Sequence, residues 1–219
     1  MSGMIGVICN DSSRYSMFWI HLTALRKPVN TLPGWGVTSD RVVGRNEIVK
    51  QALDAGSEWL LFLDDDHVFG PGLLERLLAH NKQIVGGLYL QRMAPFAPTA
   101  YTHKDENSVY HPVNLHNHGE NDLVQVAGLG TGGMLIRTEV FHKMEPPWFE
   151  WGPTTEDLIF CDRVYREGLG PIFCDLGARL GHISPAALWP AHSGEDWEVG
   201  FAFTDGFRLT VPIAEPDSE

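Results

Sequence analysis

Apolar residues fall along the chain in two alternating rhythms. Short β-favouring runs occupy residues 5–9, 59–63, 84–90, 124–127 and 172–175, and longer segments between them carry apolar residues three and four positions apart. Runs of the first kind read as strands buried on both faces, because a sheet covered by helices needs hydrophobic side chains in both directions. After the first strand, Asn10, Asp11, Ser12 and Ser13 supply turn and helix-cap chemistry ahead of a periodic segment at 15–26. Residues 28–37, with Pro33 and two glycines, make a poor helix and read as an irregular second strand with its loop. Ser39 or Asp40 can cap the next helix, where Val42, Val43, Ile48, Val49, Ala52 and Leu53 recur at helical spacing until Gly56. A short helix at 71–81 follows the run at 59–63, with Leu73, Leu74, Leu77 and Leu78 on one face. Such alternation predicts an α/β fold: a mixed, mainly parallel sheet with helices on both faces.

The rhythm breaks at Gln91. Residues 93–122 hold three prolines and weak periodicity, which reads as a long excursion with a hairpin around 98–103 and 109–115. Beyond it come a strand at 124–127, the glycine-rich turn 128–133, a strand at 134–137 and an aromatic segment at 146–151. The helix expected from Thr154 to Glu167 begins with Thr154 and Asp157 at capping-box spacing and stops at Gly168. After the strand at 172–175, a small accessory hairpin is expected at 197–204 and 207–213 around Asp205 and Gly206. Residues 1–214 are expected to form one domain, with 215–219 a disordered tail.

Composition narrows the function. The 219 residues carry a net charge of −12, which disfavours nucleic-acid backbones. No apolar stretch is long enough for a membrane span, and the N-terminus lacks the basic region of a signal peptide, so a cytoplasmic protein is expected. Three cysteines without Cys-x-x-Cys spacing read as reduced core residues.

The chemistry concentrates where residues 59–63 run into Asp64, Asp65 and Asp66. At the C-terminal end of a parallel strand they would stand on the sheet edge where ligands bind. Two unit charges about 5 Å apart repel by roughly 3 kcal/mol at an effective dielectric of about 20, so a divalent cation is their natural neutraliser. If strand geometry continues, Asp64 and Asp66 point the same way and can share Mg²⁺ or Mn²⁺. Asp65 and His67 have the same spacing and form an alternative pair, and Asp66 as a helix cap is a third role. His182, among small and apolar residues, reads as a core histidine when taken alone. His111, His116 and His118 cluster in the excursion without acidic or cysteine ligand spacing. The glycine turn is neither a P-loop nor a dinucleotide fingerprint.

Four pieces stand in order: Gly-Arg45-Asn46, Asp64-Asp-Asp66, Gly-Thr-Gly132-Gly133, and Thr-Glu156-Asp157 followed by Gly-His182. Together they resemble the GT-A nucleotide-sugar glycosyltransferases, especially family 2-like members. The resemblance implies a Rossmann-like GT-A domain and a metal held by Asp64, Asp66 and His182. It implies donor binding by Arg45, Asn46, Asp64, Asp65, Gly132 and Gly133. Glu156 and Asp157 would face the acceptor, with Asp157 as catalytic base. The expected cofactor is Mn²⁺ or Mg²⁺, the donor a UDP- or GDP-type sugar, and the acceptor a hydroxyl on a small molecule or protein. Two other readings are a nucleotidyltransferase that builds nucleotide sugars and a non-catalytic nucleotide- or carbohydrate-binding module. Against the nucleotidyltransferase, no Gly-rich, basic phosphate loop follows the first strand.

Overall fold

The structure, a computed structural model, describes residues 2–9, 15–92, 96–184, 186–193, 196–203 and 208–212. The expected turn at Asn10 to Ser13, the Asp205-Gly206 turn and the tail at 215–219 lie outside the described residues.

The chain opens with β1 (Gly3–Cys9), α1 (Ser16–Ala24), β2 (Thr31–Val37), α2 (Arg41–Asp54) and β3 (Trp59–Asp64). β3 shows why an unbroken apolar run makes a central strand. Leu60 and Phe62 enter one buried cluster with Ile48, Val49 and Ala52 of α2, while Trp59, Leu61 and Leu63 enter a second with Phe18 of α1. Burying each of these β3 side chains stabilises the fold by about 1.5–3 kcal/mol. Asp40 caps α2 by accepting from Val43 N at 3.1 Å, and Gly56 closes it at φ +63°.

Next come β4 (His67–Phe69), α3 (Leu73–Ala79), β5 (Ile84–Leu88), β6 (Ala100–Lys104), β7 (Tyr110–Pro112), β8 (Leu123–Val126), β9 (Gly128–Leu129) and β10 (Met134–Arg137). The rest is α4 (Thr138–Lys143), α5 (Glu156–Arg166), β11 (Ile172–His182), β12 (Ala186–Ser193), β13 (Asp196–Phe203) and β14 (Arg208–Pro212). The main sheet has the order β2-β1-β3-β10-β5-β11-β4, with β8 paired to β11. β1, β2, β3, β5 and β11 point one way, and β10 runs against both of its neighbours. α2, α4 and α5 cover one face, α1 and α3 the other.

Four expectations change. β2 is a regular strand in register with β1 from Gly3–Thr31 to Cys9–Val37; at the end of the sheet order it needs a single ladder, which accommodates Pro33. β11 does not stop at Asp175 but shifts register there and continues to His182. The Asp175 carboxylate holds the shift by accepting from Gly177 N and Ala178 N. The β6–β7 hairpin gains β9, and the C-terminal hairpin gains β12, so each becomes a three-stranded antiparallel sheet. The Thr154 capping box does not form: α5 starts at Glu156, and the Asp157 carboxylate binds Thr155 and Leu158 N instead. Among the described residues no helix is long and apolar enough to cross a membrane.

Candidate metal and catalytic site

Strand pairing with β1 ends at Asp64, opposite Ile8. Asp65 and Asp66 then form a turn, and the chain returns as β4. The alternation expected to align Asp64 with Asp66 is therefore broken, and the two carboxylates part. Asp64 Oδ1 accepts from Arg45 Nη2 at 3.3 Å. Asp66 turns to two histidines, with its Oδ2 3.5 Å from His182 Nε2 and its Oδ1 3.7 Å from His67 Nδ1.

Backbone pairing brings those histidines together. β4 runs antiparallel to the end of β11, with Phe69 opposite Leu180, Val68 opposite Gly181 and His67 opposite His182. The ring centroids of His67 and His182 lie 4.6 Å apart. Ile183 N also donates to the Asp66 carbonyl at 2.8 Å, so main chain reinforces the same join. One ligand atom from each of Asp66, His67 and His182 lies within 4.8 Å of the others. In the neutral His182 ring, Nδ1 donates to Leu90 O at 2.9 Å, which leaves the lone pair on Nε2 facing Asp66. Burial depresses the His67 pKa against the pull of Asp64 and Asp66, so this ring stays neutral. Neither His67 nitrogen has a hydrogen-bond partner, although the residue is 1% exposed. Burial would raise the Asp66 pKa, but the neighbouring His182, His67 and Arg92 side chains outweigh it and hold the carboxyl low.

The glycine turn explains how His67 fits. Thr131, Gly132 and Gly133 form a buried 3₁₀ turn beneath the acidic residues. A Cβ on Gly132 would overlap His67 Cε1 and stand 2.9 Å from Asp64 Oδ2, whereas one on Gly133 would meet Leu180. Gly132 N also donates to the Tyr89 hydroxyl at 3.3 Å. Burial and the Asp64 and Asp157 charges raise the Tyr89 pKa well above its ordinary value, so its phenol keeps its proton.

Arg45 organises the opposite wall. It is 2% exposed, and its Nε donates to Glu156 Oε1 at 3.2 Å. Arg41 approaches the same Glu156 oxygen at 3.4 Å, so Glu156 is committed to two guanidinium groups. Burial would lower the Arg45 pKa, but Asp64, Glu156 and Asp157 raise it overall. Among the described residues no guanidinium pairs with Asp157. Burial first, then the Glu156 charge, lifts its pKa above the usual carboxylate value, against the Thr155 hydrogen bond and the Arg45 charge.

Asp64, Asp65, Asp66, His182, Arg45, Glu156 and Asp157 all line one cleft of about 650 Å³ at the carboxyl edge of the sheet. Asn46 is not among its lining residues: its amide accepts from Trp148 N and Phe149 N and donates to Val42 O and Phe149 O, fastening the aromatic segment to α2. Trp148 donates to Phe141 O in the core, while Trp151 is 56% exposed. His111 pairs with Asp105 and His118 lies near Asp122, away from the cleft lining. Sequence reasoning paired His67 with Asp65; the structure pairs it with Asp66. Tyr89 and Arg92, which also line the cleft, had no sequence signal beyond their place after the β5 run.

No protein-family model matches the sequence, and a comparison with curated proteins finds no match. Solved structures do match. A197 from STIV superposes with a TM-score of 0.58 at 16% identity, covering 100% of this chain and 98% of that one. GalNAc-T7 with UDP, GalNAc and Mn²⁺ gives 0.60 at 12% identity over 83% of this chain, and S. aureus TarS 1–349 gives 0.50 at 16% identity over 84%. The protein has the GT-A fold. It spans 44% of the GalNAc-T7 chain and 61% of the TarS chain. In this GT-A fold the cleft opens beyond the carboxyl ends of β1 and β3, beside the point where the strand order reverses, as expected for ligand sites in open α/β sheets.

Proposed function

We propose that the protein is a metal-dependent glycosyltransferase that moves a sugar from a nucleoside-diphosphate donor to a hydroxyl acceptor. The observation that carries this reading is that the Asp66–His182 pair and the Asp157 carboxylate face a single cleft on a GT-A sheet. The donor set fits a divalent ion: one carboxylate, the outward lone pair of His182, and a buried His67 whose nitrogens have no other partner. Two imidazoles favour Mn²⁺ over Mg²⁺, which prefers an all-oxygen shell. When bound, the ion would supply Lewis-acid neutralisation of the departing diphosphate. Support for the donor class comes from the neighbours, since GalNAc-T7 was solved with UDP, GalNAc and Mn²⁺ and TarS with UDP.

The chain's own residues divide the remaining work. In an inverting transfer the acceptor oxygen bonds to the anomeric carbon, the bond from that carbon to the diphosphate breaks, and the acceptor's proton passes to Asp157. A carboxylate whose pKa is raised is a stronger base for this step. Glu156 serves as the anchor for Arg41 and Arg45, and Arg45 in turn orients Asp64 towards the donor. Trp151, exposed beside Arg41, offers a face for an acceptor ring.

The test is incubation with UDP-, GDP- and dTDP-sugars, Mn²⁺ and a panel of hydroxyl acceptors. Release of nucleoside diphosphate with a glycosylated product is expected. Release of pyrophosphate from a parallel incubation with nucleoside triphosphates and sugar 1-phosphates points to nucleotidyl transfer, and the absence of turnover with every donor sinks the enzymatic reading.

A further inference from the structure

Among the described residues three guanidinium groups line the cleft, and the structure gives each a different commitment. Arg45 is buried and bonded to both Glu156 and Asp64. Arg41 sits against Glu156 with its guanidinium 5.9 Å from the Trp151 ring centroid. Arg92 differs from both. Its side chain is 42% exposed, and its Nη1 lies 3.1 Å from Asp66 Oδ2, the same oxygen that faces His182 Nε2. The carboxylate oxygen that a metal ion shared with His182 would need is thus already paired with a cation. A divalent ion arriving there meets a like charge at close range, so ion and guanidinium compete for Asp66.

We propose that Arg92 neutralises Asp66 in the metal-free protein, is displaced when the divalent ion binds, and then pairs with the diphosphate of the donor. This rests on the reading of the cleft as a metal and diphosphate site. Charge sets the direction of the exchange. Among the described residues five acidic side chains face three guanidinium groups across the cleft, an excess of two acidic groups. A divalent ion cancels that excess and leaves Arg92 without its partner, whereas Arg41 and Arg45 stay held by Glu156 on the other wall. The released guanidinium presents a planar fork suited to phosphate oxygens. The exchange makes donor capture conditional on the ion: until Asp66 is taken, the cation that would greet the diphosphate is occupied.

The experiment titrates the full chain and its Arg92→Gln variant with Mn²⁺ alone, by calorimetry, and then with inorganic pyrophosphate at saturating Mn²⁺. The exposed side chain makes the variant safe for folding. The variant is expected to bind Mn²⁺ about three- to tenfold more tightly and the manganese–pyrophosphate complex about tenfold more weakly, changes of opposite sign. Arg92→Lys, which keeps the charge, moves both values back towards the original. Unchanged Mn²⁺ affinity, or unchanged pyrophosphate affinity, in Arg92→Gln overturns the exchange while leaving the site reading intact. If neither protein binds Mn²⁺, the site reading fails and takes the exchange with it.

Discussion

His67 and His182 stand directly opposite one another in the β4–β11 ladder, their rings 4.6 Å apart with Asp66 between the chain turns that deliver them. Strand register, not sequence proximity, makes them neighbours. Replacing either histidine by Ala, or Asp66 by Asn, is expected to weaken Mn²⁺ binding by at least about a hundredfold. Isothermal titration measures this directly. Wild-type affinity in the His67 variant would return that residue to a purely packing role.

Asp157→Asn separates chemistry from binding. Turnover is expected to fall by about 10²–10⁴-fold while donor affinity holds, the size typical of a lost general base. Equal losses in both, seen in steady-state kinetics against direct donor binding, would make Asp157 a binding residue.

The pH behaviour of the same residue has a defined sign. Its pKa is raised by burial, so the ionised form is less stable in the folded protein than in the unfolded chain. Its contribution to stability is full below the unfolded carboxylate pKa and is lost as pH rises through the folded value. Asp157→Asn is therefore expected to melt about 2 °C higher than the original at neutral pH, with the gap closing in acid. Asp66 runs the other way: with its pKa depressed, its contribution is present above the unfolded value and disappears as pH falls through the folded one. Thermal melts of both Asn variants across acid to neutral pH would expose a wrong sign in either.

Gly132→Ala tests the close approach beneath His67. The added methyl overlaps the imidazole and crowds Asp64, which is expected to cost about 1–3 kcal/mol of stability and to weaken Mn²⁺ binding together. Full stability by denaturant melt would mean that the turn yields.

Arg45→Ala removes a cation bonded to both Asp64 and Glu156. Leaving Glu156 buried beside only the exposed Arg41 is expected to destabilise by about 3 kcal/mol, read as a lowered unfolding midpoint.

Much of the fold was legible because apolar residues were enough to define it. The run at 59–63 had to be central, and its side chains do divide between two buried clusters. Asp64, Asp66 and His182, singled out from order and spacing, all line the cleft. What sequence could not give was the turn at Asp65 and Asp66. Extending the strand by two residues put Asp64 and Asp66 on one side; the turn sent Asp64 to Arg45 and exchanged it for His67 among the clustered donors. A three-residue strand such as β4 leaves too short a pattern to read, and its partner lies far along the chain. The direction of Asn46 was hidden for a related reason. A polar residue in a helix shows its type but not its direction, and this amide serves the loop at 148–149.

The bond from Ile183 N to the Asp66 carbonyl reaches beyond the cleft. β12 begins at Ala186, so the root of the C-terminal sheet is moored to the very turn whose carboxylate faces the histidines. Any ligand that stiffens that turn shortens the leash on everything downstream. Occupancy of the cleft should consequently be felt as slower amide exchange at the start of β12, a signal carried by main chain alone.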